Sequence, residues 1–277
     1  MKVTFWGTRG SIASAGPPTQ RYGGNTASVQ VMGREGTCVV LDAGTGIRAL
    51  GLALDDGVHR IDILLSHLHM DHIQGLGFFG PLFEPDIEVH VWGPPSATLD
   101  LRGRLTRYFS PPLFPVRLRD LPSRIELHNA PEEPTAIGGL RVTSATVIHP
   151  GPTVGYRIEE DGTSLAYLPD HEPALGPIGL PDDPAWISGF ELAADASLLV
   201  HDAQYFPDER ATRVGWGHSS TSEVAAFARR VHARSVACFH HDPAHDDATI
   251  DRLVAEVGDA APGIPVSGAH EGETLEV

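Results

Sequence analysis

Lysine is almost missing from this chain. Lys2 is the sole example, and arginine supplies the rest of the 20 basic residues. Schiff-base chemistry, which needs a nucleophilic amine, is therefore not expected. Cysteine is nearly as scarce. Cys38 in TCVVL and Cys238 in VACF both sit inside apolar runs, and no CxxC pair exists. They read as small buried hydrophobes rather than as a disulfide. The glycine-rich stretches GTRGS and GTGIRALG match neither GxGxxG nor GxxxxGK[ST], so they read as tight turns and not as nucleotide-phosphate loops. No GxSxG elbow is present, which disfavours a serine hydrolase. No apolar stretch reaches membrane length, and MKVTFWGTRGS enters a strand-like run without a signal-peptide core. A soluble cytoplasmic protein with no membrane partner is the expectation. Positive charge is also short overall: 36 acidic residues against 20 basic ones give a formal net charge of −16. Such a surface repels a phosphate backbone, which counts against a general nucleic-acid binder. A small anionic substrate held through metal stays open.

What the 277 residues do contain is a large number of turns, with 23 prolines and 30 glycines, and many short apolar runs between them. KVTFW, TASVQVM, TCVVLD, IDILLS, IEVHVWG, LRVTSATVIH, VGYRIE, SLAYLPD, SLLVHD and SVACFH read as strands. GIRALGLALDD, TLDLRGRLTRYF, STSEVAAFARRVHA and DDATIDRLVAEVG read as helices. In the third of these, Val224, Phe227, Ala228 and Val231 share a face, and Ser220 with Glu223 forms a capping box. Early strands follow one another through turns and later ones alternate with helices, which suggests α/β layers rather than a purely parallel sheet. The Pro-rich YFSPPLFPVRLRDLP reads as a long ordered loop, either a packed connection or a wall over a site.

The segment LLSHLHMDH ends a buried strand with His67, His69, Asp71 and His72 in HxHxDH order. Residues two apart at a strand end point the same way, so His67 and His69 can serve one metal, while Asp71 and His72 follow where the chain turns and can serve a neighbouring one. Imidazole and carboxylate together suit zinc, manganese or iron. Later strand ends supply further candidates: His149 after VTSATVI, Asp170 with His171 and Glu172 after SLAYLP, and His240 with His241 after SVACF. Polar residues emerging where apolar strands end are where sites form in layered α/β folds.

With these motifs the sequence resembles the metallo-β-lactamase superfamily over nearly its whole length. The resemblance implies a single 1–277 hydrolase domain with an αββα four-layer sandwich and a dinuclear metal site at its edge. Within the superfamily the phosphodiesterase branch is the most similar, including ribonuclease Z, the cyclic phosphodiesterase of phosphonate breakdown and class-II cyclic-nucleotide phosphodiesterase-like proteins. FWGTRGSIAS, RYGGNTASV, LDAGTGIRALG and YLPDHEP resemble segments of that branch. LLVHDAQY and WGHSSTSEVAAFARR resemble stretches that bear a supporting carboxylate and an additional active-site histidine, here Asp202 and His218. The resemblance implies that His67, His69 and His149 hold one metal, that Asp71, His72 and His240 hold the other, and that Asp170 bridges them. His240 is favoured over His241 for the last position. Asp71, His218 and Asp202 are the expected catalytic residues: Asp71 to orient water, His218 to bind phosphate or protonate the leaving group, and Asp202 to orient a histidine. His241 and His171 are candidates for substrate binding. Two divalent ions are expected, zinc first, with manganese or iron able to use the same donors. Arg9, Arg21 and Arg48 are further candidates to reach an anionic substrate.

The expected activity is hydrolysis of a small or cyclic phosphodiester. A ribonuclease Z-like nuclease would use the same site, but no lysine-bearing arm is visible and the net charge disfavours RNA. A thioesterase or lactonase on the same fold is a third reading, and a non-catalytic metal-binding sensor a fourth. The last would be expected to lack ligands, and every expected one is present. A homodimer is expected by analogy with the branch.

Overall fold

Strands in which nearly every residue is apolar need cover on both faces, because successive side chains point to opposite sides. Residues 38–41 (CVVL) and 236–239 (VACF) are of this kind, and the computed structural model, which describes residues 1–55, 57–175 and 179–277, covers them on both sides. Among the described residues, strands β1 (Lys2–Gly7), β2 (Ser28–Met32), β3 (Cys38–Leu41), β4 (Arg60–Leu64), β5 (Glu88–Gly93) and β6 (Arg124–Asn129) form one sheet, completed by β14 (Thr274–Glu276). Its order is β14-β1-β2-β3-β4-β5-β6. The second sheet holds β7 (Thr135–Ile137), β8 (Leu140–Thr146), β9 (Val154–Glu160), β10 (Thr163–Leu168), β11 (Leu198–Asp202), β12 (Val236–Phe239) and β13 (Val266–Gly268), and runs in the order β13-β12-β11-β10-β9-β8-β7. Each sheet is antiparallel in one half and parallel in the other: β3 to β6 are parallel in the first, β10 to β13 in the second.

Three apolar cores separate four layers. Val39 and Leu41 from β3 meet Val142, Tyr156 and Val200 between the sheets. Val40, one residue out of phase, faces the other way, onto Ile47 and Leu50 of α1 (Ile47–Ala53) and toward Leu105 of α3 (Leu101–Tyr108). Leu199 and Cys238 likewise face Val224 and Phe227 of α6 (Thr221–Arg230) and Leu253 of α7 (Asp247–Ala260). Helix, sheet, sheet, helix is thus the layering, an αββα sandwich. Burying each such aliphatic side chain is worth about 1.5–3 kcal/mol, so the alternation itself fixes strand register. Both cysteines are free and buried, and burial pushes their thiols up, to about 11 for Cys38 and about 12 for Cys238.

The four helical stretches read from the sequence all form, and the Ser220–Glu223 capping box closes the start of α6. The Pro-rich segment after α3 is a packed connection, with Phe109, Phe114, Leu118 and Leu121 buried in the helix-side core. Among the described residues no helix is long and apolar enough to cross a membrane.

Candidate metal centre and active site

The C-terminal ends of β4, β10, β11 and β12 deliver polar residues to one edge of the sandwich. Two bonds from the second sheet hold the end of β4 in place there: the Val154 N–H donates to the Ser66 carbonyl (2.9 Å), and the Tyr156 hydroxyl to the Leu65 carbonyl (2.8 Å). His67, His69 and His149 converge just beyond, with donor atoms within 4.8 Å of one another. His69 Nδ1 lies 3.2 Å from His149 Nε2. The next turn is α2 (Met70–Ile73), which carries Asp71 and His72. These two join Asp170 and His240 in a second group whose donor atoms also lie within 4.8 Å of one another. His72 Nε2 is 3.0 Å from Asp170 Oδ2, and His240 Nε2 is 3.2 Å from Asp71 Oδ2 and 3.3 Å from Asp170 Oδ1. Asp170 Oδ1 also faces His67 Nε2 at 3.9 Å and His149 Nε2 at 3.7 Å, so this one carboxylate adjoins both groups.

Three of the imidazoles are turned by a partner on the far side. His72 Nδ1 lies 2.8 Å from Asp42, which only accepts, so Nδ1 carries the proton and Nε2 keeps a lone pair toward the cluster. His149 does the same through Nδ1 and the Gly217 carbonyl (3.0 Å), and His240 through Nδ1 and Gln204 Oε1 (3.2 Å). Asp42 is fully buried with φ at +57° and accepts from Ser66 N (2.7 Å), Ser66 Oγ (2.8 Å) and the Tyr167 hydroxyl (2.9 Å) as well. Backs fixed in this way are the mark of imidazoles arranged to present lone pairs to a cation.

The donor set fits a cation on two further counts. His67 Nε2 is buried and has no hydrogen-bond partner, a costly state for a polar atom that nothing else engages. Burial, with the neighbouring imidazoles, holds His67 well below the ordinary histidine range, and burial lowers His69 and His149 too, which keeps these three neutral. Burial would raise the carboxyls of Asp71 and Asp170, but the surrounding histidines hold both well below the usual range. Burial would lower His72 and His240, but Asp170, with Asp42 and Asp71, pulls His72 up, and Asp170 and Asp71 bring His240 to about 8. That half of the cluster carries an excess of buried negative charge, which a cation would neutralise while displacing those protons.

His218 stands over the cluster, its ring 5.1 Å from that of His149 and 5.1 Å from that of His240. Its Nδ1 donates to Asp202 Oδ2 at 2.6 Å. Asp202 is fully buried and also accepts from the backbone N–H groups of His171, Gln204 and Ser219, so its position is over-determined.

Several expected residues lie elsewhere. His171 and His241, the candidates for substrate binding, are wholly buried and turned away from the donor groups. His171 Nε2 donates to the Ser188 carbonyl and its Nδ1 faces His201 at 2.9 Å; His241 Nε2 donates to the Ala269 carbonyl, beneath Tyr22. A φ of +59° at His240 turns the chain sharply, which sends the two adjacent histidines to opposite sides. Glu172 does not join the donor groups either. It is buried against Arg210 and accepts from the N–H groups of Gly215 and Gly217. Arg9 is also buried, donating to the carbonyls of Gly23, Asp242 and His245, and Arg21 pairs with Asp251 on the outside. The sequence reading passed over Asp42 and Gln204. Asp42 did carry a signal, since it ends the apolar run CVVLD as Asp170 ends its own.

A profile of the Beta-lactamase superfamily domain matches residues 37–241, about three quarters of the chain. The chain belongs to that superfamily. A ribonuclease Z of Haloarcula marismortui is 25% identical to this superfamily member over 306 residues, covering 95% of this chain and 93% of its own. Among solved structures, the metallo-beta-lactamase fold protein YhfI from Bacillus subtilis superposes with a TM-score of 0.72 at 18% identity, covering 99% of both chains. A diphosphatase from the PhnP family superposes with a TM-score of 0.70 at 22% identity, covering 100% of this chain and 97% of its own. These structural likenesses are likenesses of fold. Superfamily membership, together with the buried His/Asp cluster, makes the chain a metal-dependent hydrolase.

Proposed function

We propose that this hydrolase is a dinuclear phosphodiesterase that cleaves a small or cyclic phosphodiester. The observation that carries the reading is the pair of donor groups that adjoin at one carboxylate, with a carboxylate-backed histidine beside them. His67, His69 and His149 would hold one divalent ion, and Asp71, His72 and His240 would hold the other, with the Asp170 carboxylate adjoining both groups. Zinc is the first choice for such nitrogen-rich donors, and manganese or iron would accept them too. When bound, a pair of such ions supplies Lewis acidity toward phosphoryl oxygens and lowers the pKa of water at the site.

The chain's own residues do the rest. Asp71 Oδ2, the oxygen that faces His72 and His240, is fixed by the Ser11 N–H (2.7 Å), and the carboxylate so held orients the attacking water. His218 keeps its Nδ1 proton on Asp202, so it donates from Nε2 to the leaving oxygen or to a phosphoryl oxygen only as the imidazolium, with a second proton taken from solvent on Nε2 and the Asp202 carboxylate offsetting the charge. Trp216, two residues before His218, and Met70, next to Asp71, are both more than half exposed and offer apolar contact for a base or other organic group.

RNA is the second reading, favoured by near full-length similarity to a ribonuclease Z. Against it stand the net charge of −16 and the single lysine, because RNA binding draws on phosphate contacts from basic residues. A panel of 2′,3′-cyclic nucleotides, linear dinucleotides and a precursor tRNA decides. The proposal expects kcat/KM to be highest on the small esters; a preference for the tRNA would replace it with the nuclease reading.

A further inference from the structure

A second group of metal-binding side chains lies on β5 and β6, sharing no residue with the site above. Residues two apart on a strand share a face, so Glu88, His90 and Trp92 of β5 lie together, as do Glu126 and His128 of β6. Parallel pairing sets His90 beside Glu126 and Trp92 beside His128, with Asp62 of β4 on the far side of His90. This is the face turned toward the inter-sheet core, against which Trp92 packs.

His90 is buried, and its Nε2 lies 2.5 Å from Glu88 Oε1. A carboxylate only accepts, so Nε2 carries the proton and Nδ1 keeps a lone pair. That lone pair accepts a hydrogen bond from His128 Nε2, 2.8 Å away, with the two rings almost parallel at 3°, and this shared proton is the one a cation would displace. Glu126 Oε2 approaches both nitrogens, at 3.9 Å from His90 Nδ1 and 3.8 Å from His128 Nε2. The three donor atoms lie within 4.8 Å of one another. Trp92 stacks on His128 with ring centroids 4.2 Å apart, and its Nε1 donates to the buried Asp62 (2.9 Å).

We propose that His90 Nδ1, His128 Nε2 and the Glu126 carboxylate form a second, separate binding site for a divalent transition-metal cation of the zinc class. Tetrahedral coordination at bonds of about 2.0–2.1 Å puts donors about 3.3 Å apart. The observed separations of 2.8 Å and 3.8–3.9 Å straddle that value, so side-chain shifts on the order of half an ångström close the site. Glu88 plays toward His90 the part that Asp42 plays toward His72, fixing the tautomer and the ring plane from behind. Glu126 is 57% exposed and His128 29%, so the remaining coordination positions open to water. The bound cation joins β5 to β6, the terminal strand of its sheet, and so staples an edge that backbone pairing holds from one side only.

The test uses tag-free full-length protein with its central donor groups already saturated with zinc. Equilibrium dialysis against further Zn²⁺ should show one more equivalent per chain in the wild type than in His128→Ala or in Glu126→Gln. The affinity for that equivalent should fall at least about tenfold in each variant. Cu²⁺ should quench the Trp92 part of the fluorescence in the wild type and not in His128→Ala, while phosphodiesterase turnover stays unchanged in both variants. Asp170→Asn should lose zinc from the central groups and keep the extra equivalent, so the outcome is independent of whether the central site is a phosphodiesterase. Equal zinc content and equal quenching in the wild type and His128→Ala would overturn the proposal. Should His128→Ala fail to fold by circular dichroism, the exposed Glu126→Gln decides by the same zinc count.

Discussion

Glu172→Ala should cost this protein a large part of its stability, although Glu172 touches no substrate. Its side chain is fully buried and meets the Arg210 guanidinium, itself 5% exposed. It also accepts from the Gly217 N–H (3.1 Å) and the Gly215 N–H (3.2 Å). Breaking a buried ion pair from one side costs about 3–5 kcal/mol, since the remaining charge stays buried without its partner. Glu223 Oε2, 3.4 Å from Arg210 Nε, retains part of the compensation, so the lower end, about 3 kcal/mol, is expected. At about 2–4 °C per kcal/mol for a domain near this size, the melting temperature should fall by about 6–12 °C. The same bonds hold the loop whose Gly217 carbonyl orients His149 and which runs on into His218, so activity should fall at temperatures where the variant is still folded. Urea melts of wild type, Glu172→Ala and Glu172→Gln measure the stability part, with Gln separating lost charge from lost volume. A loss below about 1 kcal/mol in Glu172→Ala would show that Arg210 finds adequate solvation without Glu172, and the argument from a buried pair would fail.

Two further predictions concern the centre itself. Asp42→Asn replaces an acceptor of four hydrogen bonds with a group that must also donate, so His72 loses its fixed tautomer; zinc affinity, followed by competition with a chromophoric chelator, should drop about 10- to 100-fold. His218→Ala should leave the metal content unchanged and slow turnover by about 10²–10⁴-fold on substrates with a poor leaving group, with a much smaller loss on p-nitrophenyl esters, whose leaving group needs no proton; an equal loss on both would remove His218 from the role of acid.

The parts of the architecture that were legible in the sequence are those governed by local pattern. Apolar strands such as CVVL and VACF must be covered on both faces, and the α6 capping box announces its own boundary, so α/β layers were legible, while the four-layer αββα arrangement rested on the resemblance to the superfamily. HxHxDH, His149, Asp170 and His240 stood among the candidates because each ends an apolar strand or opens the turn after one, while the choice of His240 over His241 rested on the resemblance to the superfamily; the fold brings these strand ends together. What local pattern does not encode is side-chain direction after a turn. His240 and His241 are identical in type and adjacent, yet a positive φ at the first separates them, one to the cluster and one to the Ala269 carbonyl. Glu172 looked like a further candidate ligand beside Asp170 because its partner Arg210 lies 38 residues later. Asp42 and Gln204 act on histidines 30 and 36 residues away, a relation only the folded chain displays. The β5–β6 cluster was hidden for the same reason: IEVHVWG reads as one more strand until β6 is laid beside it in register.

Hydrolysis of bis(p-nitrophenyl) phosphate by metal-stripped protein, reloaded in turn with zinc and manganese and run beside Asp71→Ala, tests the central claim most directly. Turnover that requires metal and is lost in Asp71→Ala is the predicted result. No turnover with either metal, in protein that holds two ions at the His67/His69/His149 and Asp71/His72/Asp170/His240 groups, would contradict it and move the activity to thioesters or lactones.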